Sequence, residues 1–291
     1  MNIVPSIGGL ASRLLRSRIF WALLIVILVG SVLASAVADK PSVGVVRISG
    51  TIDGEDTDTV GKMLRYAETN DAIKAVVLKI DSPGGAAAAA EEIYLDILHL
   101  RDKKPVVAVI NLWGLSGGYY VAAASNLIYA KPTSMVGSVG AWIMLPQPER
   151  QQEDLLSTGP LKGSGGSARQ FMYKLEMVKE SFARAVISQR GDRLKLSKEE
   201  LTKAEVYIGI EALRNGLIDE IGTGTDAIKK AADLAGIKTY TLVDINEELN
   251  LVPWSYGFQS PETSLDLEEL RSRPDLMPTY YYLYFVPRLK E

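Results

Sequence analysis

Residues 114–118, Gly114-Leu115-Ser116-Gly117-Gly118, are the part of the sequence best suited to covalent chemistry. Small neighbours on both sides of a serine let a strained strand-to-helix turn expose the hydroxyl, as in a G-x-S-x-G nucleophile elbow. A serine needs a base. The chain holds one histidine, His99, and no cysteine. An elbow of the α/β-hydrolase kind needs a histidine after the serine, whereas His99 precedes it and falls in a helical run, Glu91 to Leu100. No thiol nucleophile, disulfide or cysteine metal site is possible, and one imidazole cannot build a histidine metal cluster. Lysine is the remaining base, provided burial lowers its pKa toward neutrality. Lys162, set among Gly159, Gly163, Gly165 and Gly166, is the candidate, because backbone and substrate can close over its amine. Gly84-Gly85 after a strand, together with Gly117, could turn backbone N–H groups toward one developing oxyanion. Each motif also has a plain reading: Ser116 as a helix N-cap, Asp81 to Gly85 as a tight turn with Pro83 presetting φ, and Lys162 as a solvated loop lysine.

Three motifs occur in order: Asp81-Ser82-Pro83-Gly84-Gly85, then Leu115-Ser116-Gly117-Gly118-Tyr119-Tyr120, then Val136-Gly137-Ser138-Val139-Gly140. With Gly216-Leu217-Ile218-Asp219-Glu220-Ile221-Gly222 they resemble the signal peptide peptidase A family of serine proteases, of the Clp/crotonase fold, over roughly Val43 to Ala235. The resemblance implies Ser116 as nucleophile, Lys162 as general base in a G-x-x-K loop, and Ser138 as the serine that helps orient the lysine amine. It also places Gly84, Gly85 and Gly117 at the oxyanion donors. It implies peptide substrates, remnant signal peptides or other membrane-associated peptides, with a ring-like homo-oligomer and no cofactor or metal. The sequence departs from the family at Thr158, where serine is usual, at Pro160, and in the alanine run Ala86 to Ala90.

Short apolar runs alternate with helical patterns through this region. Val43 to Ile48, Ala75 to Ile80, Pro105 to Ile110, Asn126 to Ala130 and Thr239 to Val243 read as strands. Asp58 to Glu68, Ala86 to Leu100, Ser116 to Ser125 and Phe171 to Arg190 read as helices, with further helical pieces at Glu199 to Ala204, Gly209 to Asn215 and Asp226 to Ala235. Such alternation predicts an α/β fold with a mainly parallel sheet, and the resemblance makes it repeated ββα units.

Ile19 to Ala38 carry no charge, about 20 residues or about 30 Å of helix, behind Arg13, Arg16 and Arg18. That predicts a single transmembrane anchor with the catalytic domain outside the cytoplasm, and a signal peptide cleaved after Ala36-Val37-Ala38 is the rival. The expected organisation is therefore 1–18 cytoplasmic, 19–38 anchor, 39–245 protease domain and 246–291 tail. In the tail, Tyr280 to Val286 reads as a strand or docking segment. The composition, 47% hydrophobic and 23% charged with net charge −3, is globular and offers no basic face for nucleic acid. Two other functions fit parts of the pattern: a crotonase-type acyl-CoA enzyme, which would not need Lys162, and a non-catalytic membrane scaffold.

Overall fold

The computed structural model describes residues 18–37, 40–144, 158–159, 161, 165–251 and 281–283, with side chains at 18, 30–37, 56 and 281–283 outside the description. The chain forms two units, Met1–Lys40 and Pro41–Glu291.

In the first unit, α1 (Arg18–Val37) is 20 residues long and takes in the uncharged run from Ile19 to Val37. Its described side chains from Ile19 to Val29 are exposed at every position except Phe20. Among the described residues no helix is long and apolar enough to cross a membrane. The expected C-terminal limit at Ala38 lies outside the described residues.

The second unit is built on a sheet in which β1 (Ser42–Ile52), β2 (Ile73–Ala86), β3 (Val106–Leu115) and β8 (Thr241–Asp244) run parallel, in the order β3-β2-β1-β8. β4 (Leu127–Ala130) and β5 (Met135–Gly137) both pair in parallel with β3, at its first and last residues respectively. β7 (Glu220–Ile221) adds to β4, and β6 (Val206–Ile208) adds antiparallel to β5. Helices α2 (Gly54–Thr69), α3 (Ala87–Arg101) and α4 (Gly117–Ala123) connect the first four strands. The long α5 (Ala168–Arg190) begins at a capping box, in which Ser167 accepts from the Gln170 N–H and Gln170 reaches back. Short helices α6 (Lys198–Leu201) and α7 (Gly209–Arg214) flank β6, α8 (Gly224–Leu234) precedes β8, and α9 (Ile245–Glu248) follows it.

Alternation along the central strands explains why their middle runs, Ala75 to Leu78 and Val106 to Ile110, are apolar on both faces. Val76, Leu78 and Ile80 face one core with residues of α2, α3, α4 and α5. Ala75 and Val77 face the other, with Val107, Val109 and Ala227 and Ala231 of α8. A strand covered on both faces has no polar side to show. The result is a mixed α/β protein with a mainly parallel sheet, which fits a Clp/crotonase-like fold.

Two expectations need correction. Asp81 to Gly85 do not end the strand in a tight turn, because β2 continues through them to Ala86, with Gly84 alone at positive φ. Pro83 is tolerated because the ladder is interrupted there, with register shifts against β1 between Ser49 and Thr51 and against β3 between Ile80 and Ser82. The second correction is β3, which runs five residues past Ile110, to Leu115, and so reaches the serine motif directly. The tail expectation of a strand is met over β9 (Tyr281–Leu283), antiparallel to Gly84–Ala86 of β2.

Candidate active site

Ser116 stands between the last residue of β3 and the first of α4, with φ 50° and ψ −119°. A left-handed backbone at a residue bearing a Cβ is strained and persists only where surroundings impose it. Here the imposition is visible. The Ser116 N–H donates to the Gly137 carbonyl at 2.8 Å, and the Tyr120 N–H donates to the Ser116 carbonyl at 2.9 Å. The residue occupies the N-cap position of α4, but its side chain makes no capping hydrogen bond. The N-cap reading is thereby set aside, since capping is where an N-cap hydroxyl is normally spent.

Ser138 lies against the same turn. Leu115 of β3 is the register partner of Gly137 of β5, so the residues that follow each, Ser116 and Ser138, begin side by side. Ser138 is also left-handed, with φ 56°, and its N–H donates to the Glu205 carbonyl at 2.8 Å. Strands β5 and β6, which hold this arrangement, are three residues each and were not legible in the sequence.

The glycine pair arrives from β2. Gly84 and Gly85 pair with Thr51 and Ile52 of β1. On their other edge, which β3 leaves after Gly114 pairs with Ser82, lies β9. Gly84 has φ 104°, open to glycine at no steric cost. At Gly85 a Cβ would fall 1.9 Å from the Ile52 carbonyl oxygen, and at Gly118 one would fall 2.7 Å from the Ser82 carbonyl oxygen. The strand and the first turn of α4 are thus in direct contact. Gly117, as the first residue of α4, carries an N–H that no intrahelical carbonyl can reach. The Gly84 N–H donates to Ser82 Oγ at 3.1 Å.

Two residues beside the glycines escaped the sequence reading. Ser82 is fully buried, and its hydroxyl donates to the Gly50 carbonyl at 2.6 Å. Asp81 is buried and accepts from the Trp113 N–H at 3.1 Å, tying β2 to the end of β3. Burial pushes the Asp81 carboxyl up, while the Trp113 and Leu112 N–H groups pull it down, and the net shift is upward. A serine two residues before a glycine, with proline between, is the signal that could have found Ser82, since such hydroxyls bond the N–H two residues on.

The helix of the glycine-tyrosine motif is fixed from behind. The Tyr119 hydroxyl donates to the Leu217 carbonyl at 2.8 Å, and burial holds that phenol far above its ordinary pKa. Tyr120 packs on Tyr94 and on the edge of Phe182, with ring centres 4.6 and 4.9 Å away. Leu217 belongs to the later glycine turn, where Asp219 accepts from both terminal guanidinium nitrogens of buried Arg190, at 2.8 and 2.9 Å, and from the Ile128 N–H.

His99 is exposed in the last turn of α3. That helix starts at Ala87, next to the glycine pair, so at 1.5 Å per residue His99 lies about 18 Å along the axis from the site end. Lys162 lies outside the described residues. The structure therefore brings together Ser116, Ser138, Gly84, Gly85 and Gly117, and leaves His99 apart. Among the described residues no group of three or more His, Asp or Glu side chains could hold a metal ion.

Residues 99–155 and 160–238 match the model of the family described as Peptidase family S49. Protease 4 of Haemophilus influenzae is 31% identical to this chain over 222 residues, 69% of this chain and 36% of that protein. The chain belongs to peptidase family S49. The chloroplastic serine protease SPPA of Arabidopsis thaliana is 28% identical over 235 residues, 71% of this chain and 34% of that protein. Capsid assembly protease C of phage lambda is 28% identical over 186 residues, 58% of this chain and 42% of that protein. The S49 chain thus spans little more than a third of the length of protease 4.

Proposed function

We propose that this S49 chain is a membrane-anchored serine endopeptidase that uses a Ser116–Lys162 dyad. The observation that carries the reading is the left-handed Ser116, uncapped at its side chain, beside the glycine pair of β2. Ser116 Oγ attacks the scissile carbonyl carbon while the neutral Lys162 amine takes its proton. The negative charge that develops on the carbonyl oxygen is met by backbone N–H groups from among Gly84, Gly85 and Gly117. The Gly84 N–H is already engaged with Ser82, so Gly85 and Gly117 are the donors favoured here. Collapse expels the amine product, protonated by Lys162, and leaves an acyl-enzyme ester at Ser116. The same amine then deprotonates water, which hydrolyses the ester. Ser138 orients the lysine, and no cofactor or metal takes part.

Lys162 rests on its G-x-x-K spacing and on the remoteness of His99. Peptide as substrate is supported by the pairing of 281–283 with Gly84–Ala86, because that edge of β2 takes up an extended chain through main-chain hydrogen bonds. The anchor rests on the uncharged run Ile19 to Ala38 behind three arginines and on the exposed apolar side chains of α1. Remnant signal peptides or other membrane-associated peptides, cleaved outside the cytoplasm by a homo-oligomer, complete the proposal.

The test is a fluorophosphonate probe on the full chain, with the labelled residue mapped by mass spectrometry and peptide hydrolysis followed in parallel. Label is expected on Ser116. Ser116→Ala and Lys162→Ala should each lose several orders of magnitude in rate, and the double variant little more, since a nucleophile and its base act as one unit. His99→Ala should retain most activity. Rate should rise with pH as the amine loses its proton, because only the neutral form accepts one from serine. An active Lys162→Ala beside a dead His99→Ala would sink the dyad.

A further inference from the structure

Ser82 takes no part in the dyad, yet it touches both segments that carry the proposed oxyanion donors. Its hydroxyl uses its one proton on the Gly50 carbonyl at 2.6 Å and accepts the Gly84 N–H at 3.1 Å. Gly50 and Gly84 both lie in the positive-φ region that favours glycine, with φ 78° and 104°. The hydroxyl therefore ties together two turned positions on neighbouring strands, at the place where the β1–β2 ladder slips register between Ser49 and Thr51. Pro83 fixes one dihedral and Ser82 holds the Gly84 N–H, so the Pro83–Gly84 peptide, one residue before the Gly85 N–H, is anchored. On its other side, Ser82 packs against the first turn of α4. A Cβ on Gly118 would meet the Ser82 carbonyl oxygen at 2.7 Å and the Ser82 Cβ at 3.1 Å. The side chain is fully buried, in a place where an unsatisfied carbonyl or N–H is costly.

We propose that Ser82 is a positioning residue of the S49 site, whose hydroxyl holds Gly84 so that the Gly85 N–H, together with that of Gly117, is aimed at the transition-state oxyanion. The proposal rests on the Ser116 nucleophile reading given above. Preorganised donors act on charge that exists only in the transition state, so misdirecting one lowers kcat and leaves ground-state binding alone.

The experiment compares the full chain with Ser82→Ala, Ser82→Cys and Ser116→Ala, after circular dichroism has shown each to be folded. Steady-state hydrolysis of a fluorogenic peptide gives kcat and KM separately. The inhibition constant of a peptide aldehyde, whose adduct with serine carries the oxyanion, reads the donor geometry without turnover. Ser82→Ala is expected to lower kcat about 10- to 100-fold, below or at the loss seen when one donor is removed outright. KM should stay within about twofold, and aldehyde affinity should fall in step with kcat/KM, as it does for losses confined to the transition state. The pH at which rate rises should not move, because the base is untouched. Ser82→Cys, with a weaker donor and acceptor in nearly the same volume, should fall between the two, and it carries the test if the alanine variant does not fold. A Ser82→Ala enzyme with parental kcat overturns the proposal, and so does one whose kcat falls while aldehyde affinity is kept. An active Ser116→Ala would instead overturn the nucleophile reading itself.

Discussion

At the residue scale, the most informative side chain away from Ser116 is Arg190. It is among the largest fully buried side chains of the protein, and it spans the Gly216 carbonyl and both carboxylate oxygens of Asp219. Desolvation pushes the Asp219 carboxyl up, but the guanidiniums of Arg190 and Arg193 and the Ile128 N–H outweigh it, and the net shift is downward. A carboxylate depressed in the folded state contributes stability above its unfolded pKa of about 4 and loses it as pH falls through the lower folded value. Arg190→Met leaves a buried carboxylate without its main partner, which typically costs about 3–5 kcal/mol. At roughly 2–4 °C per kcal/mol for a domain of this size, Tm should drop by on the order of 10 °C near neutral pH. The gap between variant and parent should narrow below pH 4 in calorimetry, as the Asp219 charge disappears from both. A pH-independent gap would mean that packing, not the ion pair, is what the arginine supplies.

At the element scale, the site depends on two strands that overrun. β3 carries the chain to Leu115, and β2 carries it through Gly85. The apolar runs end near Ile110 and Ile80, so neither overrun announces itself; main-chain pairing with β5 and with β1, which no side-chain pattern encodes, sustains both. Proline and glycine looked like punctuation at 83–85 because their local preference is for turns, and tertiary pairing overrode it. Gly85→Ala tests the consequence. Its methyl carbon would fall 1.9 Å from the Ile52 carbonyl oxygen, so β1 and β2 must separate there. Hydrolysis should drop at least a hundredfold, the scale of one lost oxyanion donor, while the hydrophobic core on either side of the sheet stays intact by circular dichroism. Parental activity in Gly85→Ala would show that this strand does not serve the reaction.

At the scale of the whole molecule, the alternation of strands and helices was legible because covered parallel strands carry unbroken apolar runs, as Ala75 to Leu78 and Val106 to Ile110 do. Ser116, Gly84, Gly85 and Gly117 were legible as types in a pattern. Their convergence was not, since it follows from β5 lying against the end of β3 and from β2 passing beside α4. Lys162 was legible as spacing alone. Strands of two or three residues, β5, β6 and β7, have too few positions to show a period, and they form because neighbours offer free edges. Ser82 was in plain view within its motif, but what it does depends on Gly50, 32 residues away.

The handedness of Ser116 has a thermal consequence. Apart from the Tyr120 N–H within α4, its strained backbone is tied to the sheet by the bond to Gly137, and Ser138 by its bond to Glu205, through the three-residue pair β5–β6 at one end of the sheet. Short peripheral pairings open at lower free energy than central strands. Warming should therefore let Ser116 relax to an ordinary right-handed turn while β1, β2 and β3 stay closed. Activity would then fade at temperatures where the far-ultraviolet dichroism is still native, and would return on cooling without any refolding phase. Coincident loss of activity and dichroism would mean that the strain at Ser116 is held by the whole sheet rather than by its margin.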